Sequence, residues 1–252
     1  MHLFFYIETN STPQRFVVYL IEVEIDYPPS TILSGEIMYL SIEGVIGVGK
    51  TTLARLLQPS FQAQVCLEVF EENPFLSDFY SDRARYAFQT QIFFLLSRYQ
   101  QQIRGIQKSL DDGGNLISDY TFEKDSLFAR INIKGDELDM YYRVHEALAE
   151  KIVSPDLVLY LRADSEILMQ RISSRDRPYE RQMERGYIEE LIHAYDQFFL
   201  GNTVRKSPVL VIDMNNLDYV RSAEDLRTIE NRIRQTLQIT PFQPELPLSS
   251  IR

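Results

Sequence analysis

The sequence predicts an α/β fold, a doubly wound parallel sheet of five strands flanked by helices. Three observations lead there. From residue 38 onward, short apolar runs are continuous rather than alternating, as in strands buried on both faces. Helical patterns separate these runs, and that order calls for right-handed β-α-β crossovers. The composition, 44% hydrophobic and 25% charged over 252 residues, is ordinary for a globular chain with a sizeable core.

Each element has its own justification. Residues 39–43 are an apolar run and read as the first strand. Residues 50–57 are helical and are expected to stop before Pro59. Residues 65–69 read as the second strand. Residues 83–110 form one long helical pattern, apolar at Ala84, Ala87, Phe88, Phe94, Leu95 and Ile103, and ended by Asp111-Asp112-Gly113-Gly114. Residues 115–119 (NLISD) are the third strand, followed by helices over 122–131 and 136–152. Residues 156–162 are the fourth strand. Helices over 164–174 and 184–200 flank an arginine-rich turn. Residues 208–213 are the fifth strand, and 223–237 the last helix. In such folds ligands bind beyond the carboxyl ends of the strands.

Three segments follow from this reading: 1–37, a core domain at 38–240, and a Pro-rich tail at 241–252 (Pro241, Pro244, Pro247). Residues 15–25 look like a strand, broken by Tyr27-Pro28-Pro29-Ser30. Segment 1–37 reads either as an accessory hairpin or strand, or as an extension upstream of a natural start at Met38. The second is preferred, because the core is complete without it.

Net charge is -10, from 26 basic and 36 acidic residues. Residues 1–37 hold one Arg and five acids, and so contribute -4 of it. This balance argues against a protein that grips nucleic acid through a broad basic face. No apolar run reaches the length of a membrane span, and no basic stretch precedes the first apolar residues as in a signal peptide. Cys66 is the single cysteine, so no intrachain disulfide forms; a reducing, cytoplasmic setting fits.

Gly44-Val45-Ile46-Gly47-Val48-Gly49-Lys50-Thr51 matches the phosphate-binding pattern G-x-x-x-x-G-K-[ST], and Thr52 follows it. It leaves a strand and opens a helix, as the mechanism needs. Backbone N–H groups of the loop surround phosphate oxygens, Lys50 reaches the outer phosphates, and Thr51 offers a hydroxyl to Mg²⁺. No G-protein switch or base-reading motif accompanies it. Asp119 ends the third strand where a carboxylate would hold Mg²⁺ through water.

Glu68, near the end of the second strand, is placed to accept a proton from an attacking hydroxyl. Glu71 and Glu72 are better read as solvated acids ahead of a helix that begins near Pro74. Gln91 and Arg98 are seven apart on the long helix and share a face among aromatics. That arrangement suits a nucleobase edge, although spacing alone favours a core amide and an arginine paired with an acid. Arg171, Arg175, Arg177, Arg181 and Arg185 fall within fifteen residues. The first three suit a lid over a transferred phosphate. Arg181 and Arg185 suit a solvated surface, with neighbouring acids as partners.

The constellation resembles the deoxynucleoside kinases, especially the bacterial deoxyadenosine/deoxyguanosine kinase branch. The motifs that carry this run from 38 to 237: the loop at 44–51, Glu68 with EENPFLSDFY (71–80), AFQTQ (87–91), Arg98-Tyr99, SDYTFEKD (118–125), the stretch 171–180 and VIDMNNLDYV (211–220). The resemblance implies a P-loop kinase fold, ATP as donor, Mg²⁺ and a homodimer built on long helices. It implies Glu68 as general base toward the 5′-hydroxyl. It places Tyr80 and Glu180 on the 3′-hydroxyl. Gln91, Arg98 and Asp125 would recognise the base. That polar Arg/Asp pair points to purine (or cytosine) substrates. Asp119 is implied as a Mg²⁺-associated carboxylate, or as the proton acceptor itself, with Arg171, Arg175 and Arg177 in the lid. The segment after Asp213 would pack on the donor's base. One departure is clear. Tyr120 and Thr121 stand where the family has Arg-Ser after the acid, so a cation expected near the acceptor hydroxyl is missing. A lid arginine is one replacement, and Tyr120 itself is a candidate substrate contact.

The expected activity is ATP-dependent phosphorylation of a purine deoxynucleoside at its 5′-hydroxyl, a salvage reaction. Two rivals share features. A nucleoside monophosphate kinase of the thymidylate kinase type also has the loop, lid and strand-end acid, but it needs cations for the acceptor's phosphate where this chain offers acids. A kinase-like subunit without catalysis is opposed by the retained Lys50, Thr51, Glu68 and Asp119.

Overall fold

The computed structural model describes residues 37–69, 72–201 and 206–239. Within them five strands form one all-parallel sheet in the order β2-β3-β1-β4-β5. The strands are β1 (Tyr39–Gly44), β2 (Ala63–Cys66), β3 (Asn115–Ser118), β4 (Leu157–Arg162) and β5 (Val209–Asp213). Every residue of β1 is buried, as is β4 up to Leu161, so the two central strands carry the core. The chain reverses direction across the sheet at β1, whose neighbours are β3 and β4. That switch point opens a crevice at the carboxyl ends of the strands. The postulated strand at 15–25 and the Pro-rich tail lie outside the described residues.

Nine α-helices are described: α1 (Lys50–Phe61), α2 (Leu76–Ser81), α3 (Arg83–Gln101), α4 (Gln107–Asp111), α5 (Lys124–Asn132), α6 (Asp136–Ala149), α7 (Ser165–Arg175), α8 (Arg185–Leu200) and α9 (Ala223–Leu237). Several differ from expectation for identifiable reasons. Helix α1 runs through Pro59 to Phe61. The carbonyl that Pro59 leaves without a donor belongs to Arg55, an exposed residue of the helix. The long helix is not uniform. A π-turn at Gln102–Ile106 separates α3 from α4, and Gly105 there faces Cys66 Sγ. Strand β2 stops at Cys66 although Leu67 and Val69 are apolar. Its partner β3 ends in register at Ser118, and the next carboxylate takes the Glu68 amide out of the ladder.

Candidate active site

The phosphate loop depends on backbone conformations that side chains disfavour. Gly49 has φ 104°, and a Cβ there would overlap the Tyr219 hydroxyl, which donates to Gly49 O at 2.9 Å. Gly44 has φ 148°, and a Cβ would collide with the Leu161 carbonyl on β4. Val45 and Val48 bury their side chains in the core, leaving backbone to form the loop. Lys50 Nζ donates to Gly44 O at 2.6 Å and Val45 O at 3.4 Å. Burial and the neighbouring Lys124 charge pull this ammonium down to about 8, against the opposing pull of Glu43, Glu68 and Asp119. The Thr52 side chain is exposed and does not line the cleft, while its backbone N–H belongs to the first turn of α1.

A cavity of about 130 Å³ opens beside this loop. Its phosphate end holds Gly44, Ile46, Gly47, Lys50, Thr51 and Asp119; Glu68, Arg98 and Lys124 lie in the middle. Gln91, Phe79, Phe94 and Phe128 line it together with Tyr80, Arg175, Arg177, Tyr179 and Glu180. The Thr51 hydroxyl donates to Asp119 Oδ2 at 2.5 Å, and the Glu68 amide donates to Asp119 Oδ1 at 2.7 Å. Glu68 is gripped on both oxygens, Oε1 by Arg98 and Oε2 by Lys124 Nζ, the latter at 2.6 Å. Burial would raise the Glu68 carboxyl, but the two cations outweigh it and hold it well below the usual carboxylate range. Arg98 also donates to Asp125. It therefore does both things its spacing allowed, pairing with acids and facing the cleft.

Three expected site residues sit elsewhere than expected. Tyr120 is fully buried with Tyr39, Ile106 and Leu116, so it makes no cleft contact. Successive residues of an extended chain point to opposite faces. Asp119 therefore faces the loop, and Tyr120 goes to the other side with Leu116 and Ser118. Asp125 is 1% exposed and stands behind Arg98 rather than on the cleft wall. Arg171 is outside the cleft. It donates to Val48 O at 3.1 Å and Met214 O at 3.4 Å, tying the loop to the segment after β5.

Arg175 and Arg177, the arginines expected in a lid, are engaged with Glu180. Arg175 donates to it from Nε at 2.7 Å and Nη2 at 2.5 Å, and Arg177 lies 3.8 Å away. Tyr179 stacks on Tyr80, with ring centroids 6.4 Å apart. Arg181 pairs with Asp176, and Arg185 with Glu189, both on the surface. Glu72 is exposed, while Glu71 lies outside the described residues.

Sequence reasoning missed Glu43. This fully buried carboxylate at the end of β1 accepts from Thr121 N at 2.5 Å, Thr121 Oγ1 at 3.0 Å, Gly44 N at 3.2 Å and Tyr195 OH at 3.3 Å. It fixes the start of the phosphate loop to the segment after Asp119. A charged residue inside an otherwise apolar strand run was the available signal. Lys124 was missed too, since it was read only as part of a longer motif.

The deoxynucleoside kinase family model matches residues 40–238, most of the chain. This chain belongs to the deoxynucleoside kinase family. It is 31% identical over 201 residues to a deoxyguanosine kinase of Bacillus subtilis, covering 79% of this chain and 97% of that one. To a deoxyadenosine kinase of Dictyostelium discoideum it is 32% identical, over 81% and 83% of the two chains. The solved deoxyadenosine kinase from M. mycoides with bound dCTP superposes with a TM-score of 0.67 at 27% identity, over 79% of this chain and all of that one. The enzyme is thus a nucleoside-phosphorylating kinase rather than a monophosphate kinase or a kinase-like subunit.

Proposed function

We propose that the chain transfers the terminal phosphoryl group of ATP to the 5′-hydroxyl of a purine deoxynucleoside, deoxyadenosine or deoxyguanosine. The observation that carries this reading is the placement of Glu68. It is an ionised carboxylate in mid-cleft, between the Lys50 loop on one side and Gln91 and Arg98 on the other. The donor's phosphates lie along the loop, on its N–H groups and the α1 N-terminus. Glu68 orients the acceptor hydroxyl and takes its proton. A carboxyl held this low is a weak base, which suits a loose transition state where the proton leaves late. Gln91 and Arg98 meet the base, Tyr80 and Glu180 the 3′-hydroxyl, and Arg175 and Arg177 the transferred group.

Mg²⁺ fits the residues present. A hydroxyl and a carboxylate, Thr51 and Asp119, already meet at 2.5 Å, a sparse donor set of the sort Mg²⁺ accepts when phosphates and water complete its shell. When bound there, the ion would neutralise charge on the donor phosphates. We further infer a cytoplasmic homodimer. Leu96 on α3, Ile103 in the π-turn and Met140 on α6 are large, apolar and exposed, which supports contact with a partner.

The test is a panel of the four deoxynucleosides with ATP and Mg²⁺, run on the full chain and on a chain starting at Met38. Purine deoxynucleosides are expected to give the highest kcat/KM in both. A preference for thymidine, or turnover of dTMP instead, would sink the assignment.

A further inference from the structure

We propose that Lys124 is a second catalytic lysine, which holds Glu68 and turns its remaining N–H donors onto the phosphoryl group in transfer. This rests on the kinase reading above and assigns its cation at the acceptor end.

The argument starts from how the local charges are committed. Arg98 is buried and divides its guanidinium between Glu68 and Asp125, so two carboxylates fix it. Arg175 is bound through two nitrogens to Glu180. Lys50 belongs to the phosphate loop. Lys124 differs from all three. Its side chain is 4% exposed, yet it lines the cleft, and its ion pair is with Glu68 Oε2. An ammonium has three donors and no acceptor, so the bond to Glu68 leaves two, with the Tyr120 ring 5.8 Å from the ammonium. Lys50 and Lys124 face the same cleft closely enough that their charges repel. A buried ammonium and a half-buried one that repel across a cavity are relieved by an anion between them. At that point the acceptor oxygen, already on Glu68, meets a phosphorus held by the loop.

Lys124 also has the right mechanical character. Its head sits on a flexible stem, whereas the Arg98 fork is pinned at both ends. It can keep contact with Glu68 while the hydroxyl shares that oxygen. As the new O–P bond forms, the bond to the bridging oxygen breaks, and its electron pair leaves on ADP. The hydroxyl proton passes to Glu68, and Lys124 stabilises charge on the equatorial phosphoryl oxygens. The side chain reaches this place from the first turn of α5, three residues after the segment that Glu43 anchors. The cation missing at Tyr120 is therefore restored from a different backbone position, not by the lid.

The experiment compares K124M and K124R with the wild-type enzyme, using ATP, Mg²⁺ and the best deoxynucleoside of the panel. Removing one donor aimed at transition-state charge is expected to cost about 100-fold or more in kcat. The deoxynucleoside KM should stay within about fivefold, the pattern of an interaction made only in transfer. K124R should recover most of the lost rate, which a purely packing role would not allow. A K124M enzyme with wild-type kcat, a loss confined to KM, or a K124R enzyme as slow as K124M would each overturn the proposal. If the variants do not fold, the wild-type enzyme decides it: crystallised with ADP, aluminium fluoride and deoxynucleoside, it should show Lys124 Nζ within about 3.2 Å of both Glu68 and a fluoride. An ammonium turned away from the fluoride rejects it. A wild-type chain that phosphorylates none of the four deoxynucleosides would overturn the kinase reading itself, whereas a fully active K124M enzyme removes only the role of Lys124.

Discussion

The carboxylate of Asp119 accepts the backbone N–H of Glu68 at 2.7 Å. Strand β2 ends there because a side chain, not a neighbouring strand, takes the next amide. The bond sets the height at which the Glu68 side chain leaves the sheet. With its other oxygen on Thr51, Asp119 couples the phosphate loop to Glu68.

Replacing Asp119 with Ala should therefore damage both ends of the site. The expected loss in kcat is about 100- to 1000-fold, by analogy with removing one preorganised electrostatic group. Each hydrogen bond to a charged group contributes about 1.5–3 kcal/mol, so the melting temperature should fall as well. Steady-state kinetics and a thermal melt check this. An Asp119→Ala enzyme with normal Mg²⁺ dependence and normal kcat would refute the coupling.

Gly49→Ala should fail for two separable reasons. The new Cβ would overlap the Tyr219 hydroxyl, and the residue would sit at φ 104°. Gly49→Ala/Tyr219→Phe relieves only the first. The double variant should regain part of the lost melting temperature but little of the ATP affinity, since the loop's N–H directions remain distorted. Calorimetric titration with ATP and parallel melts separate the two effects. Full recovery of affinity would show that sterics alone matter.

Much of this architecture is legible from residues alone, because the strands are buried on both faces and leave uninterrupted apolar runs. The phosphate loop is equally legible, since its glycines and lysine have few other reasons to coincide. What escapes is set by pairing and parity. Leu67 and Val69 continue an apolar run, yet β3 is too short to pair with them. Tyr120 adjoins Asp119 and points to the opposite face. The π-turn at Gln102–Ile106 shifts later residues round the helix without disturbing an apolar pattern that one long helix explains equally well. Lys124 acquires its meaning only when α5 brings it to Glu68, 56 positions earlier in the chain.

Glu180 offers a test of acceptor recognition that uses the substrate as its own control. It is held by Arg175 and lines the cleft beside Tyr80. If it binds the 3′-hydroxyl, Glu180→Gln should raise KM for a deoxynucleoside about tenfold, the scale of one weakened charged hydrogen bond. The same substitution should cost little with a 2′,3′-dideoxynucleoside, which has no 3′-hydroxyl to lose. Equal penalties on both substrates would instead place Glu180 with the lid, acting through Arg175.

His145 should make the fold sensitive to acid independently of catalysis. Its ring stacks with Phe122, at 4.9 Å, and with Tyr141, at 6.1 Å, and its Nε2 is buried without a hydrogen-bond partner. Burial lowers its affinity for a proton, against smaller opposing effects from the Phe122 backbone and the charge of Glu146. In the unfolded chain the imidazole titrates near its ordinary value of about 6.5. Between that value and the lower one of the folded state, the unfolded chain binds more protons. Stability from this site is therefore complete above about pH 6.5 and is lost progressively on acidification. His145→Phe keeps the stack and removes the titration. Its melting temperature should fall less than that of the wild type between pH 7.5 and 5, with the two enzymes close at pH 7.5. Parallel curves over that range would mean that the acid sensitivity lies with other groups.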